Sequence, residues 1–277
     1  MPNPDSGAAG VRLSLVTMRS VFPKAPDTII SAFVERQGVL TAVGLNQTRQ
    51  RLAYCFANLH AETSGFTIKN LTENINYSAE RMADVWPNRF GSATAVRAKY
   101  GTAPGWQNKA FDDIYGSRMG NRPGTSDGSR FIGRGGPQIT GRDGYAEIGK
   151  RIGVDLVSAP DLACNHALQP DIAAAFWDWK VMNKYADAAN FIGCVKEWNG
   201  GTNGLAERQK QLARILSVLQ GAEWGAAAQT PAKPKDSPAA TAGPPSTVPA
   251  PTVQPPSVWA AFFMAVFLAV AGLFKRT

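Results

Sequence analysis

Glu62 and Glu73 stand eleven positions apart, on either side of Gly65. Glu62 follows the apolar run Leu52 to Leu59 in the segment Leu59-His60-Ala61-Glu62-Thr63-Ser64-Gly65-Phe66. A carboxylate on the last turn of a largely apolar helix is partly desolvated and faces the negative end of the helix dipole. Both effects raise its pKa and suit a general acid. On one straight helix, eleven positions would hold two carboxylates roughly 16 Å apart. The Gly65 break lets the chain turn and bring Glu73 nearer. Two carboxylates about 6.5–9.5 Å apart leave room for one water, the arrangement for inverting glycoside hydrolysis. Taken alone, the first segment also fits a solvated helix-end glutamate.

Two further segments carry polar groups that can meet a ligand. In Phe131-Ile132-Gly133-Arg134-Gly135-Gly136-Pro137-Gln138-Ile139-Thr140, the glycines permit close backbone approach. Gln138 and Thr140 alternate with Ile139, so an extended strand would point both to one face. Amide and hydroxyl groups there can bind sugar N-acetyl groups or hold a water. The segment lacks the Gly-Lys-Ser/Thr of a phosphate-cradling loop, and by itself it also fits an ordinary glycine-rich loop. Trp198-Asn199-Gly200-Gly201-Thr202-Asn203-Gly204-Leu205 reads as a turn into a helix, with Asn203 a candidate cap.

The elements that must position these groups are mostly helical. Apolar residues recur at helical spacing over 28–34 and 46–59, where Leu52, Phe56 and Leu59 form one stripe. Stretches 145–152, 171–185 and 205–219 read as helices too. In the second of these, Ile172, Ala175, Phe176 and Trp179 mark a buried face, and in the third Leu212, Ile215, Leu216 and Leu219 do. Stretch 91–136 is rich in glycine and polar residues and reads as a long loop. Strand signals are few, and no repeat is visible. The expectation is an α-rich domain with one core and long functional loops.

The chain has 277 residues, with 29 Lys and Arg against 21 Asp and Glu, a net charge of +8. Ordinary hydrophobic content excludes a wholly disordered chain. Composition divides it into three: a folded unit over 1–225, a tether over 226–257 and an uncharged apolar segment over 258–274. The tether carries nine prolines and no aromatic residue, so it is expected to be extended. The 17 residues of the last segment would span roughly 25 Å as a helix, close to a hydrocarbon core. Trp259 and Lys275-Arg276 flank it as interface anchors, and a transmembrane helix is expected there. The stretch 1–21 lacks the apolar core of a cleavable secretory signal. The folded unit holds 25 basic and 20 acidic residues. That mild positive field favours an anionic polymer or lipid. Scattered basic residues without interleaved aromatics argue against nucleic acid.

Cysteine and histidine usage is sparse. Cys55 lies in the apolar run and reads as a buried free thiol, while Cys164 and Cys194 leave a disulfide open. Two histidines, His60 and His166, do not make a two-histidine metal helix, so neither metal nor cofactor is expected.

Taken together, these segments resemble glycoside hydrolase family 19, in particular its phage and prophage endolysins. The resemblance runs from about Phe56 to Gln211. It rests on Glu62-Thr63-Ser64-Gly65-Phe66 and on Glu73-Asn74-Ile75-Asn76-Tyr77-Ser78-Ala79. It continues through Tyr115-Gly116-Ser117-Arg118-Met119-Gly120-Asn121, Gly133-Arg134-Gly135, Gln138-Ile139-Thr140 and Asn199-Gly200-Gly201-Thr202-Asn203-Gly204. It implies a lysozyme-like, two-lobed α-rich domain with the substrate cleft between lobes. By the same resemblance Glu62 is the general acid, Glu73 the general base, and Thr140 helps hold the attacking water. Tyr77, Gln138, Arg134 and Asn199 are implied to meet the sugar.

Two positions depart from the family pattern. Ala61 stands where a histidine often precedes the acid, and Gly144 where an asparagine is common before the tyrosine. Neither change removes a carboxylate. The activity implied is hydrolysis of β-1,4 bonds between N-acetylated amino sugars. Bacterial peptidoglycan is the expected substrate, cleaved by a monomer tethered to the membrane and acting at the cell wall. Chitin is the alternative substrate, and wall binding without turnover the alternative class.

Overall fold

The structure is a computed structural model that describes residues 9–226. Fourteen α-helices and one two-stranded sheet make up this region. The sheet pairs Ala9–Val11 antiparallel with Trp224–Ala226, in the register Gly10 to Gly225 and Val11 to Trp224. It ties the start of the described chain to its end. Ala226, which its composition assigns to the tether, is the last strand residue. Among the described residues no helix is long and apolar enough to cross a membrane. The rest of the tether and the 258–274 segment lie outside them.

There are two hydrophobic cores, not one. The larger surrounds the Arg49–Thr63 helix, in which every residue from Leu52 to Leu59 is buried. A stretch buried on all sides must be apolar all round, and Leu52 to Leu59 is so but for Asn58. Thr48 caps it by accepting from Arg51 N at 3.0 Å, and Ser64 ends it in a left-handed conformation. Phe22, Phe33, Phe56 and Phe66 meet edge-on or tilted around it. The Leu205–Gln220 and Phe191–Asn199 helices pack beside it.

The smaller core is built by the Ala79–Val85, Pro87–Phe90, Ala93–Tyr100 and Trp106–Tyr115 helices. Tyr77, Met82, Trp86, Val96, Phe111 and Ile114 fill it. The helices over 93–115 correct the loop expected for 91–136. Ala110, Phe111, Ile114 and Tyr115 sit three and four apart and are all buried, so a short apolar stripe sufficed where overall composition read as loop. The helix expected over 171–185 is two, Gln169–Trp179 and Asn183–Asp187, separated at Val181, whose φ is +51°. The joint is held by Trp177 Nε1 donating to Asn183 Oδ1 at 2.7 Å.

Two of the places where the chain crosses between the cores lie side by side. Leu71 belongs to the large core and Tyr77 to the small one; Phe131 belongs to the large core and Ile132 to the small one. Glu73 lies on the first crossing and Gly133 immediately after the second. The crossings are bridged by an antiparallel contact between Thr72 and Arg134.

Candidate active site

Glu73 is anchored by that pairing. Its N–H donates to the Gly133 carbonyl at 2.8 Å, and Gly133 N–H donates to its Oε2 at 3.1 Å. The other carboxyl oxygen, Oε1, is buried without a protein partner. Burial pushes the carboxyl up to about 7, against the opposing pull of the Gly133 N–H and the Arg134 charge. A small cavity beside it is lined by Glu73, Tyr115, Asn121, Ile132 and Thr140, among others.

The Gly133–Thr140 segment is a tight turn, not the extended strand expected. Arg134 and Ile139 exchange backbone hydrogen bonds at 3.1 and 2.9 Å, and Gln138 at the turn has φ +56°. Gln138 Nε2 donates to the carbonyls of Leu71 and Gly135, at 3.2 and 2.9 Å. Its donor therefore fastens the loop, and only its Oε1 remains near Glu73. Thr140 sits just before the Gly141–Ile152 helix, and its hydroxyl donates to the Gln138 carbonyl at 3.0 Å. With its proton engaged there, the hydroxyl presents lone pairs to whatever occupies the cavity.

Arg134, expected to meet the sugar, is nearly buried and held by protein partners. Its guanidinium runs beneath the turn, donating to Arg130 O at 2.7 Å and to Tyr145 OH at 2.9 Å, and pairing with Asp161 at 3.1 Å. The residue is 9% exposed. Its reach toward the site is electrostatic, through Glu73. Tyr77 is also buried, packed between Trp86 and Phe111, with its hydroxyl lacking a protein partner. Burial and the Glu73 charge raise the Tyr77 pKa.

Glu62 lies on the last turn of the Arg49–Thr63 helix, with its side chain fully covered. One oxygen accepts from Arg208 Nη2 at 2.5 Å; the other, Oε2, is buried without a protein partner. Desolvation raises this carboxyl to about 7, with Arg208 pulling the other way. Arg208 also donates to Asn58 Oδ1 at 2.6 Å and to the Asn203 carbonyl at 3.4 Å. Asn199 Nδ2 donates to that same carbonyl at 3.3 Å, while its Oδ1 accepts from Gly201 N at 2.9 Å. Asn203 is not a side-chain cap: Gly204, at φ +68°, occupies the cap position of the Leu205–Gln220 helix.

The structure thus gathers Glu73, Gln138 and Thr140 at the junction of the cores, with Tyr77 and Arg134 behind them. Glu62 and Asn199 belong to a second group organised by Arg208. Sequence reasoning missed Arg208, Asn58 and Gln169, and gave Tyr115 no role of its own. Arg208 had a visible signal, since it falls four before Leu212 and seven before Ile215, on a stripe that should be apolar. Gln169 is fully buried; its Oε1 accepts from Gly136 N at 2.7 Å, and its Nε2 donates to Ala163 O and Asn165 O. No periodicity distinguishes such a glutamine from a surface one. Cys55 is buried and free, and Cys164 and Cys194 are unpaired. Cys164 lies instead against Thr72 Oγ1 at 3.2 Å.

Comparison with known proteins places this arrangement among the glycoside hydrolases. Residues 87–230 match the family model for class I chitinases of glycoside hydrolase family 19. A family 19 domain-containing protein of Haemophilus influenzae is 33% identical over 210 residues, covering 74% of this chain and 96% of that protein. The chain belongs to glycoside hydrolase family 19. An acidic 27 kDa endochitinase of Solanum lycopersicum is 31% identical over 101 residues, 36% of this chain and 40% of its own. Chitinase C from Streptomyces griseus HUT6037 superposes with a TM-score of 0.49 at 15% identity, covering 80% of each chain. The matched segment 87–230 holds Arg134, Gln138, Thr140, Asn199 and Arg208; Glu62, Glu73 and Tyr77 precede it.

Proposed function

We propose that the protein hydrolyses β-1,4 bonds between N-acetylated amino sugars of peptidoglycan by an inverting, two-carboxylate mechanism. One observation carries the reading. Glu62 and Glu73 each have one oxygen held by a donor and the other buried without a protein partner. Each is thereby fixed in orientation yet keeps one oxygen for a reacting atom. Both carboxyls are raised to about 7, so either can hold or release a proton near neutrality.

Glu62, protonated, gives its proton to the leaving glycosidic oxygen. Glu73, ionised, takes a proton from water. Thr140 supports this by accepting the water's second hydrogen, because its own hydroxyl proton is spent on Gln138 O. A water held between two acceptors turns its lone pair outward, toward the anomeric carbon. The Arg208 guanidinium beside Glu62 stabilises the carboxylate left after proton donation. Asn199 and the Gln138 Oε1 are the remaining polar groups assigned to sugar contacts.

The net charge of +8 favours an anionic wall. The bacterial relative aligns over nearly its whole length, whereas the plant endochitinase shares about a third of this chain. The uncharged segment 258–274 supports tethering at the membrane, with the catalytic domain facing the wall. Digestion of purified peptidoglycan and of chitin in parallel tests the substrate. New reducing ends from peptidoglycan alone support the reading, and turnover of chitin alone replaces it with a chitinase. Proton NMR of the first-formed anomer tests inversion: the α product is expected, and the β product refutes it.

A further inference from the structure

We propose that Asn58 is a positioning residue for the acid: a neutral, buried acceptor that holds the Arg208 guanidinium against Glu62 without drawing on its charge. The inference rests on the reading of Glu62 as the general acid. Asn58 and Glu62 are four apart on the Arg49–Thr63 helix, so they share a face, one turn from each other. Arg208, from the first turn of the Leu205–Gln220 helix, meets both with separate nitrogens, Nη1 to Asn58 at 2.6 Å and Nη2 to Glu62 at 2.5 Å. Asn58 is 0% exposed and the Arg208 side chain 2%.

The orientation of the Asn58 amide is settled by its surroundings. A guanidinium has only donors, so the oxygen must face Arg208. The amide nitrogen then points to Tyr54 O at 2.8 Å and to Cys194 Sγ at 3.8 Å. Each side of the amide meets its complement, and rotation would set two donors against each other at full burial.

Charge explains why an amide belongs here. Once its proton is given up, Glu62 is a buried anion against the buried Arg208 cation. An aspartate at 58 would place two anions on that cation, and the proton on Glu62 would be held more tightly. An apolar residue would leave Nη1 without that acceptor, and the guanidinium would lose its fixed angle to the carboxyl. Other titratable groups surround this pair: burial raises the Tyr54 hydroxyl and the Cys55 thiol on the same helix, and Glu197 acts on Cys194 from the Phe191–Asn199 helix. Cys194 faces it from the Phe191–Asn199 helix, with its thiol pushed up to about 12 and therefore neutral. His60 lies between Asn58 and Glu62 on the same helix, held low by burial and Arg214 and opposed by Glu207. Asp187, from the Asn183–Asp187 helix, is paired with Arg51 at the opposite end of the Arg49–Thr63 helix.

The test uses the full chain and the variants Asn58→Asp and Asn58→Leu, both close to asparagine in size. Glu62 is titrated directly by carboxyl carbon NMR, alongside the pH profile of kcat/KM and the thermal midpoint. Asn58→Asp is expected to raise the Glu62 proton affinity about tenfold and to move the alkaline limb of the profile upward by the same amount. Asn58→Leu is expected to lower kcat at least tenfold with KM changed less than twofold. An unmoved Glu62 titration in Asn58→Asp, or a folded Asn58→Leu with undiminished kcat, overturns the proposal. If the titration moves and the rate profile does not, Asn58 still holds the pair, and it is the assignment of Glu62 as acid that falls.

Discussion

Glu73 and Gly133 are joined in both directions, backbone N–H to carbonyl at 2.8 Å and backbone N–H to carboxylate at 3.1 Å. The proposed base is therefore held by the backbone of the opposite crossing, a partner that substitution of a side chain cannot remove. Its weak point is steric. A Cβ on Gly133 would stand 2.9 Å from Gln138 Oε1 and 3.3 Å from Glu73 Oε2. Gly133→Ala should push the carboxylate aside and cost about tenfold to a hundredfold in kcat, since small misplacements of a catalytic group are expensive. Steady-state kinetics beside a thermal melt checks this. A loss of rate with the melt nearly unchanged is expected; unchanged kcat would mean that Glu73 need not be held where it is.

The two carboxylates and Thr140 should separate by magnitude. Glu62→Gln and Glu73→Gln are each expected to reduce the rate at least about a hundredfold, the range for loss of a general acid or base. Thr140→Ala should cost less, because Glu73 alone can still take the proton. Hydrolysis of a soluble oligosaccharide by the three variants, compared at the wild-type optimum, decides the order. A Thr140→Ala defect as deep as that of Glu73→Gln would assign the hydroxyl a larger part than orientation.

Stability should report the raised Glu73 directly. Its pKa moves from 4.5 to about 7 on folding, so between those values the native state binds more protons than the unfolded chain. Unfolding free energy contributed by this group is full below pH 4.5 and is lost as pH rises through 7, a change on the order of 3 kcal/mol. His60, held below its ordinary value, gives an opposite slope across its own titration. The difference between wild type and Glu73→Gln cancels that contribution. Urea unfolding from pH 4.5 to 7.5 should show the variant gaining on the wild type as pH rises. A constant difference would mean that Glu73 ionises normally in the folded protein.

How much of this was legible in the sequence depends on the physics of each residue. The long helices announced themselves, because Leu52, Phe56 and Leu59, or Ile172 and Phe176, repeat at the helical period and are buried. The second core was hidden, because its helices are short and the few apolar residues of each are diluted by charged and polar ones. Gln138 was misplaced for a different reason. Alternation around Ile139 suits a strand, but a hydrogen-bonded turn with Gln138 at positive φ satisfies the same pattern over so few residues. The site was half visible. Motifs supplied Glu62, Glu73 and Thr140, while Arg208 and Asn58 emerge only when two helices 150 positions apart are set side by side.

Gln169 shows what such long-range contacts do for the loop. Its amide satisfies Gly136 N at 2.7 Å, Ala163 O at 3.0 Å and Asn165 O at 2.8 Å, with no exposure. Gln169→Leu would strand two buried polar groups, Gly136 N and Ala163 O, and free the part-buried Asn165 O, and each unsatisfied buried group costs about 1–3 kcal/mol. A fall in unfolding free energy of about 2–5 kcal/mol is expected, together with faster amide exchange at Gly136. Loss of stability without faster exchange there would place the effect in the helix start rather than in the loop.

The pairing of Ala9–Val11 with Trp224–Ala226 bears on the segments that follow. Arg12 N donates to Glu223 O at 2.9 Å, and Arg49 donates to Leu219 O and Ala222 O, so the end of the folded unit is fastened up to the strand. All of the site residues lie before that closure. Removal of Val258 to Thr277 should therefore leave hydrolysis of isolated walls within about twofold of the full chain, since every candidate site residue lies within the closed unit. The apolar segment, if it inserts as its composition leads one to expect, should carry the protein into the membrane fraction. Fractionation of cells expressing either form, paired with wall digestion by the purified proteins, separates the two roles. Activity lost together with the segment would make it part of the catalytic fold, whereas membrane association kept without it would move the anchor into the folded unit.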